Sequence, residues 1–161
     1  TIEAITTVIS DELVVSNIGL PSQELHMLGD QLRNFYMLGT MRLASSIGLG
    51  LALSQEETVI AIDGDGSILT NLGTLPTIAN NIADNFILLI IDNSNYGATG
   101  DQPTCASSKT SITRVAEACG FEKVIEYKAP ETKNIFETPI KSKNDNNCIK
   151  IRKWLYSCTC Y

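Results

Sequence analysis

Two short stretches, residues 58–62 (TVIAI) and 86–91 (FILLII), are apolar at nearly every position. A strand with no polar face is buried on both sides, as in a parallel sheet covered by helices. Residues 12–16 (ELVVS) and 34–38 (NFYML) predict two more strands, 123–127 another and 149–155 a last one. Between them the period changes to that of a helix. Ile2, Ile5, Val8 and Ile9 fall at helical spacing. Pro21 and Ser22 open a short helix through about residue 28, with proline near the start, where a missing N–H costs nothing. Residues 41–53 (MRLASSIGLGLAL) are small, apolar and of helix length, and Gly48 and Gly50 within them predict close packing against a sheet. A helix over about 67–82 carries Ile68, Leu72, Leu75 and Ile78, with Pro76 inside it as a point of kinking or splitting. Residues 111–119 and 132–141 predict further helices, the second one weak, and 142–147 a polar linker. Strands alternating with helices predict an α/β fold: a doubly wound, mainly parallel sheet with helices on both faces. The chain reads as a single domain over residues 1–161, with 142–161 a weakly assigned tail.

Composition narrows the function classes. The chain has 161 residues, enough for one domain with a core of its own. It is too short to hold both halves of a two-domain cofactor enzyme. Its formal charge is −6, and Lys and Arg never run beyond two in a row, which argues against a nucleic-acid partner. Neither a membrane span nor a secretion signal is expected. Five cysteines, 105, 119, 148, 158 and 160, are an odd number and widely spaced. They read as thiols of a reduced, cytoplasmic protein rather than as staples or a zinc site.

In parallel sheets ligands bind outside the carboxyl ends of the strands. The two most apolar strands release two loops there: residues 64–67 (GDGS) and 92–100. The first fails as a dinucleotide fingerprint, because position 69 is Leu and Asp65 lies between the glycines, where it would repel a pyrophosphate. A cation reverses that objection. Gly64 and Gly66 then let the backbone approach a phosphate, Ser67 donates to it, and Asp65 binds Mg²⁺. Mg²⁺ wants six oxygens and takes only a few from protein, so a second strand end must contribute. Asn93 stands 28 residues on, just past the next apolar strand, and the carbonyl of Asn95 offers a third donor. The plainer alternative is an ordinary strand-to-helix turn with an Asp cap.

GDGS followed after 25–30 residues by an Asn-Asn type step is the signature of thiamine-diphosphate enzymes. Here the step reads Asp92-Asn93, so the first Asn is replaced and the ligand position is kept. Residues 16–19 (SNIG), 34–41 (NFYMLGTM), 44–53 (ASSIGLGLAL) and 93–104 (NSNYGATGDQPT) closely resemble the sulfopyruvate decarboxylase β-subunit family of thiamine-diphosphate-dependent decarboxylases. Phosphonopyruvate decarboxylases look similar. The resemblance covers about residues 12–127.

The resemblance implies a diphosphate-binding half of a decarboxylase that uses thiamine diphosphate and Mg²⁺. Asp65, Asn93 and the Asn95 carbonyl would hold the metal. Gly64, Gly66, Ser67, Tyr96 and Gly97 would line the diphosphate. Gly39 would offer its carbonyl to the aminopyrimidine, and Met41 would prop the bent cofactor. Gln102 and Thr104 are candidates for meeting a sulfonate. Arg42 departs from the family's Met-Gly-Leu-Ala step: an arginine there either crowds the cofactor or reaches a phosphate or the sulfonate. No catalytic residue is expected in this chain. Glu24 and Glu56 sit in surface segments, so the activating Glu is expected from a separate pyrimidine-binding α subunit in a hetero-oligomer. The implied reaction is sulfopyruvate to sulfoacetaldehyde and CO₂, a step toward coenzyme M. The alternatives are a phosphonopyruvate decarboxylase-like enzyme, a 2-oxoacid:ferredoxin oxidoreductase β subunit, or a non-catalytic scaffolding relative. His26 and Cys105 are expected to carry no chemistry.

Overall fold

The computed structural model describes residues 2–7, 9–81, 83–128 and 148–153. The helices are α1 (Ile2–Thr6), α2 (Leu20–Gly29), α3 (Ala44–Ser54), α4 (Asp65–Thr70), α5 (Thr74–Asn80) and α6 (Ile112–Ala118). The main strands are β1 (Leu13–Ser16), β2 (Asn34–Tyr36), β3 (Val59–Gly64) and β4 (Phe86–Asp92). A two-residue hairpin follows, β5 (Asn95–Tyr96) with β6 (Gln102–Pro103), and then β7 (Lys123–Lys128) and β8 (Cys148–Lys153). Six of these strands form one sheet in the order β2-β1-β3-β4-β8-β7, parallel at every pairing.

The alternating side chains of the central strands divide the core in two. Val15, Val59, Ala61, Phe86, Leu88 and Ile90 face α3 to α6. Val14, Ile60, Ile62, Ile87 and Leu89 face the other way, against Ile2, Ile5 and Ile9 and Leu25 of α2. Both faces are covered, which is why the strands read as continuously apolar. The expected doubly wound arrangement holds.

Three boundaries differ from the expectations, each for a local reason. α3 starts at Ala44 rather than 41, because Thr40 and Arg42 take φ of +57° and +91°, outside the helical well. The expected 67–82 helix is two helices, and the break is at residues 71–73, not at Pro76. Pro76 lies in the first turn of α5, where its missing N–H has no intrahelical partner to lose. Of the two α3 glycines, only Gly48 packs closely: a Cβ there would stand 2.9 Å from both Ala61 Cβ and Phe86 Cε2. Gly50 is exposed with nothing within 4 Å of where a Cβ would be, so the expectation fails for it. The last strand does form, and it enters the sheet between β4 and β7 rather than extending an edge. The helix expected at 132–141, the linker at 142–147 and Cys158 and Cys160 lie outside the described residues. Among the described residues, no helix is long and apolar enough to cross a membrane.

Candidate active site

The chain runs from β1 to β2 on one side, then crosses to β3 on the other. The crevice outside the carboxyl ends of β1 and β3 is therefore the switch point of the sheet, where ligands of such folds bind. The segments expected to carry chemistry lie at this end: the turn after β2, the β3–α4 junction and the loop after β4.

At the β3–α4 junction, Asp65 begins α4 and is 2% exposed. Thr104 Oγ1 donates to Asp65 Oδ2 at 2.6 Å. Burial pushes the Asp65 carboxyl up to about 6. The Thr104 hydrogen bond opposes the rise, the Asp92 carboxylate adds to it, and the Gly66 and Asn93 amides oppose it. Gly66 is buried, and a Cβ there would overlap the Tyr96 ring, so the two motifs interlock at this point. Ser67 Oγ is buried without a hydrogen-bond partner. Gly64 has open space where a Cβ would stand, so nothing within the chain requires glycine there.

The loop after β4 turns on two carboxamide and carboxylate caps. Asp92 Oδ1 accepts from the Ser94 N–H at 2.9 Å and from Ser94 Oγ at 3.1 Å, and Asn93 Oδ1 accepts from the Asn95 N–H at 3.1 Å. Ser94 takes φ +61°, the left-handed value that this reversal needs. Gly97 lies close to Asn93: a Cβ there would stand 3.7 Å from Asn93 Nδ2. Asp65, Gly66, Ser67, Asn93, Tyr96 and Gly97 are thus brought together. Thr104 joins them from below, 3% exposed, with its hydroxyl committed to Asp65. Its hydroxyl proton is thus directed at Asp65. Gln102 is exposed, and its amide is bonded to Thr99 at both ends, by Oε1 at 3.0 Å and by Nε2 at 3.1 Å.

The turn after β2 is open to solvent. Gly39 is exposed with no neighbour, Leu38 is 99% exposed and Met41 is half-buried. Its link to the site is indirect: the Arg42 carbonyl accepts from Asn71 Nδ2 at 3.3 Å at the end of α4. Arg42 itself is exposed and occupies a backbone conformation that suits glycine.

Sequence reasoning missed three contributors. Asp63, fully buried, accepts from Ser45 Oγ at 2.8 Å and from the Gly64 N–H at 3.0 Å. It fastens the start of α3 to the end of β3. Burial pushes its carboxyl up, against the pull of the Ser67 and Ser45 hydroxyls; Ser67 is near enough to favour the charge without a well-formed hydrogen bond. Asp92, which stands where the signature has Asn, shapes the loop and repels Asp65. At the end of β1, Ser16 Oγ and Asn17 Oδ1 are buried without partners, and Gly19 at φ +86° approaches Ala98 of the loop after β4. An apolar strand ending in Ser-Asn-x-Gly before a helix was the available signal for this last group.

The donor chemistry here suits a hard cation bridging to phosphate. The buried Asp65 carboxylate is repelled by Asp92, with the Asn93 amide bonded to Asp65 and the buried, unpartnered Ser67 hydroxyl two residues on. Among the described residues, no group of three or more His, Cys, Asp or Glu side chains could hold a metal, which leaves this mixed set.

Residues 23–144 match the model of the thiamine pyrophosphate enzyme C-terminal TPP-binding domain. The chain is 50% identical over 137 residues to the sulfopyruvate decarboxylase subunit beta of Methanocaldococcus jannaschii, covering 85% of this chain and 71% of that protein. With the subunit of that name in Methanothermobacter thermautotrophicus it shares 54% over 120 residues, 74% of this chain and 64% of that one. With a phosphonopyruvate decarboxylase of Streptomyces viridochromogenes it shares 42% over 114 residues, 71% of this chain and 28% of that one. The chain therefore spans about two thirds of the length of the β subunits it matches. In fold it is similar to a 2-oxoglutarate:ferredoxin oxidoreductase of Magnetococcus marinus (TM-score 0.73, 17% identity, 94% of this chain and 57% of that one). It is also similar to a thiamine diphosphate-dependent 4-hydroxybenzoylformate decarboxylase of Rhodococcus jostii (TM-score 0.71, 19% identity, 96% of this chain and 31% of that one). With the Asp65–Asn93 junction at the switch point of a parallel sheet, these matches lead to one conclusion: the chain belongs to the thiamine pyrophosphate enzymes, as a TPP-binding domain of the sulfopyruvate decarboxylase β-subunit kind.

Proposed function

We propose that this chain is the diphosphate-binding subunit of a thiamine-diphosphate- and Mg²⁺-dependent decarboxylase acting on sulfopyruvate, in coenzyme M biosynthesis. The carrying observation is the buried Asp65 carboxylate, set against Asp92 and beside Asn93, with the unpartnered Ser67 hydroxyl at the same junction. A buried carboxylate with a like charge for a neighbour is costly unless a cation answers it. Asp65, Asn93 and the Asn95 carbonyl would hold Mg²⁺, and Gly64, Gly66, Ser67, Tyr96 and Gly97 would line the diphosphate. When bound, thiamine diphosphate supplies a carbanion to attack the keto carbon and an electron sink while CO₂ leaves.

The rest of the work falls to the protein. Ser67 donates its hydroxyl to a phosphate oxygen. Tyr96, packed on Gly66, would line the diphosphate beside it. Gly39 would present its carbonyl to the pyrimidine amine and Met41 would support the bent cofactor, from a turn whose Leu38 is almost wholly exposed in the lone chain. Gln102 and Thr104 are the candidates on the substrate side. The net reaction takes up one proton: sulfopyruvate and H⁺ give sulfoacetaldehyde and CO₂. The carboxylic acid that activates the pyrimidine is assigned to a separate α subunit. Glu24 and Glu56 are exposed, and the buried Glu12 lies at the opposite end of the sheet, where the Ser10 and Asp11 N–H groups donate to it. The phosphonopyruvate decarboxylases at 42–44% identity favour that substrate as the second reading.

The test is to mix the full-length protein with its copurifying subunit, thiamine diphosphate and Mg²⁺, and to follow CO₂ release from each 2-oxo acid. Turnover of sulfopyruvate by the mixture but not by this chain alone is expected. Turnover of phosphonopyruvate in its place would move the assignment to the second reading. Turnover by this chain alone would refute the shared site.

A further inference from the structure

We propose that Thr104 is a positioning residue that sets the span between the two halves of the metal centre; this rests on the cofactor reading above. The two halves come from separate strand ends. Asp65 stands at the end of β3, and Asn93 and Asn95 stand in the loop after β4. Thr104 bonds to both. Its Oγ1 donates to Asp65 Oδ2 at 2.6 Å, and its N–H donates to the Ser94 carbonyl, between the two loop ligands, at 2.9 Å.

Thr104 is itself held on every polar group. Its carbonyl accepts from the Ser107 N–H at 3.1 Å and from Ser107 Oγ at 2.7 Å, at the start of a 3₁₀ turn over Cys105–Ser107. The β5–β6 hairpin, pairing Asn95 with Pro103 and Tyr96 with Gln102, anchors it from the other side. Among the described residues no other side chain hydrogen-bonds to the Asp65 carboxylate. The Thr104 hydroxyl holds Oδ2, and the Gly66 and Asn93 amides also favour the charged carboxylate, so Thr104 is the side chain that orients it. Mg²⁺ needs near-octahedral order, so an error in this span is felt directly in its affinity. Removing a residue that orients a metal ligand costs 10–100-fold in metal affinity.

The experiment titrates Mg²⁺ at fixed thiamine diphosphate, by calorimetry, on the full-length protein with any subunit that copurifies. Thr104→Val, which keeps the shape and deletes the donor, is expected to need about tenfold more Mg²⁺ for half-saturation. At saturating Mg²⁺ its thiamine diphosphate affinity should return to within about twofold of the parent. Thr104→Ser keeps the hydroxyl and is expected to match the parent. Should Thr104→Val fail to fold, Thr104→Ala makes the same comparison. An unchanged Mg²⁺ requirement would overturn the inference. So would equal weakening at every Mg²⁺ concentration, which marks a merely structural role. If the parent protein binds thiamine diphosphate without regard to Mg²⁺, the metal centre itself is refuted, and the inference with it.

Discussion

Burial, and more weakly the Asp92 carboxylate, hold the Asp65 carboxyl at about 6. A carboxyl raised in the folded state binds its proton more tightly than the unfolded chain does. Its share of stability is therefore present below about 4, the unfolded value, and lost as pH rises through about 6. Asp65→Asn removes that charge. It should raise the stability of the cofactor-free protein at pH 7 by about 1–3 kcal/mol in denaturant melts, while abolishing Mg²⁺-dependent binding of thiamine diphosphate. In the parent, Mg²⁺ affinity should weaken as the pH falls through about 6, because the proton competes for the carboxylate. Arg42 presents a second residue-scale strain, at φ +91°. Arg42→Gly relieves it, and the gain exceeds the extra freedom of the unfolded chain, so about 0.5–1 kcal/mol of stabilisation is expected in a thermal melt. That GDGS and the Asn loop meet at one end of the sheet was legible in the sequence, because each follows an apolar strand. The Asp65–Thr104 bond was not: it joins positions 39 residues apart, and no local pattern marks it.

At the scale of elements, spacing alone found the helices and strands but not the packing that ends them. Gly48 and Gly50 look alike in the sequence, two small residues in one apolar helix. In the fold, one meets Ala61 and Phe86 and the other faces open space. Gly48→Ala should force α3 away from the sheet and cost about 1–3 kcal/mol. Gly50→Ala should stabilise α3 by about 0.5–1 kcal/mol. Denaturant melts of the pair check both signs. The α4–α5 break escaped detection because proline is the louder signal, yet at the first turn of a helix proline breaks nothing. The start of α3 escaped because positive φ at Thr40 and Arg42 is not what those residue types announce.

At the scale of the molecule, the doubly wound sheet was legible from its wholly apolar strands, since only cover on both faces explains them. The strand order was not. Placing β8 between β4 and β7 is a long-range choice that local patterning does not encode. The order matters because it puts the switch point between β1 and β3, next to Asp65, and so locates the site. At that end Leu38 and Gly39 stand exposed, the buried Asp63, Asp65 and Asp92 are committed to the β3–α4 junction and the loop after β4, and the acid that activates the pyrimidine is assigned to a second chain. The proposed active site is thus shared between two chains. Native mass spectrometry of the assembly purified from its source tests this most directly. A second, different chain bound to this one is expected, with thiamine diphosphate and Mg²⁺ retained in the complex. An assembly of this chain alone, carrying no thiamine diphosphate, would contradict it.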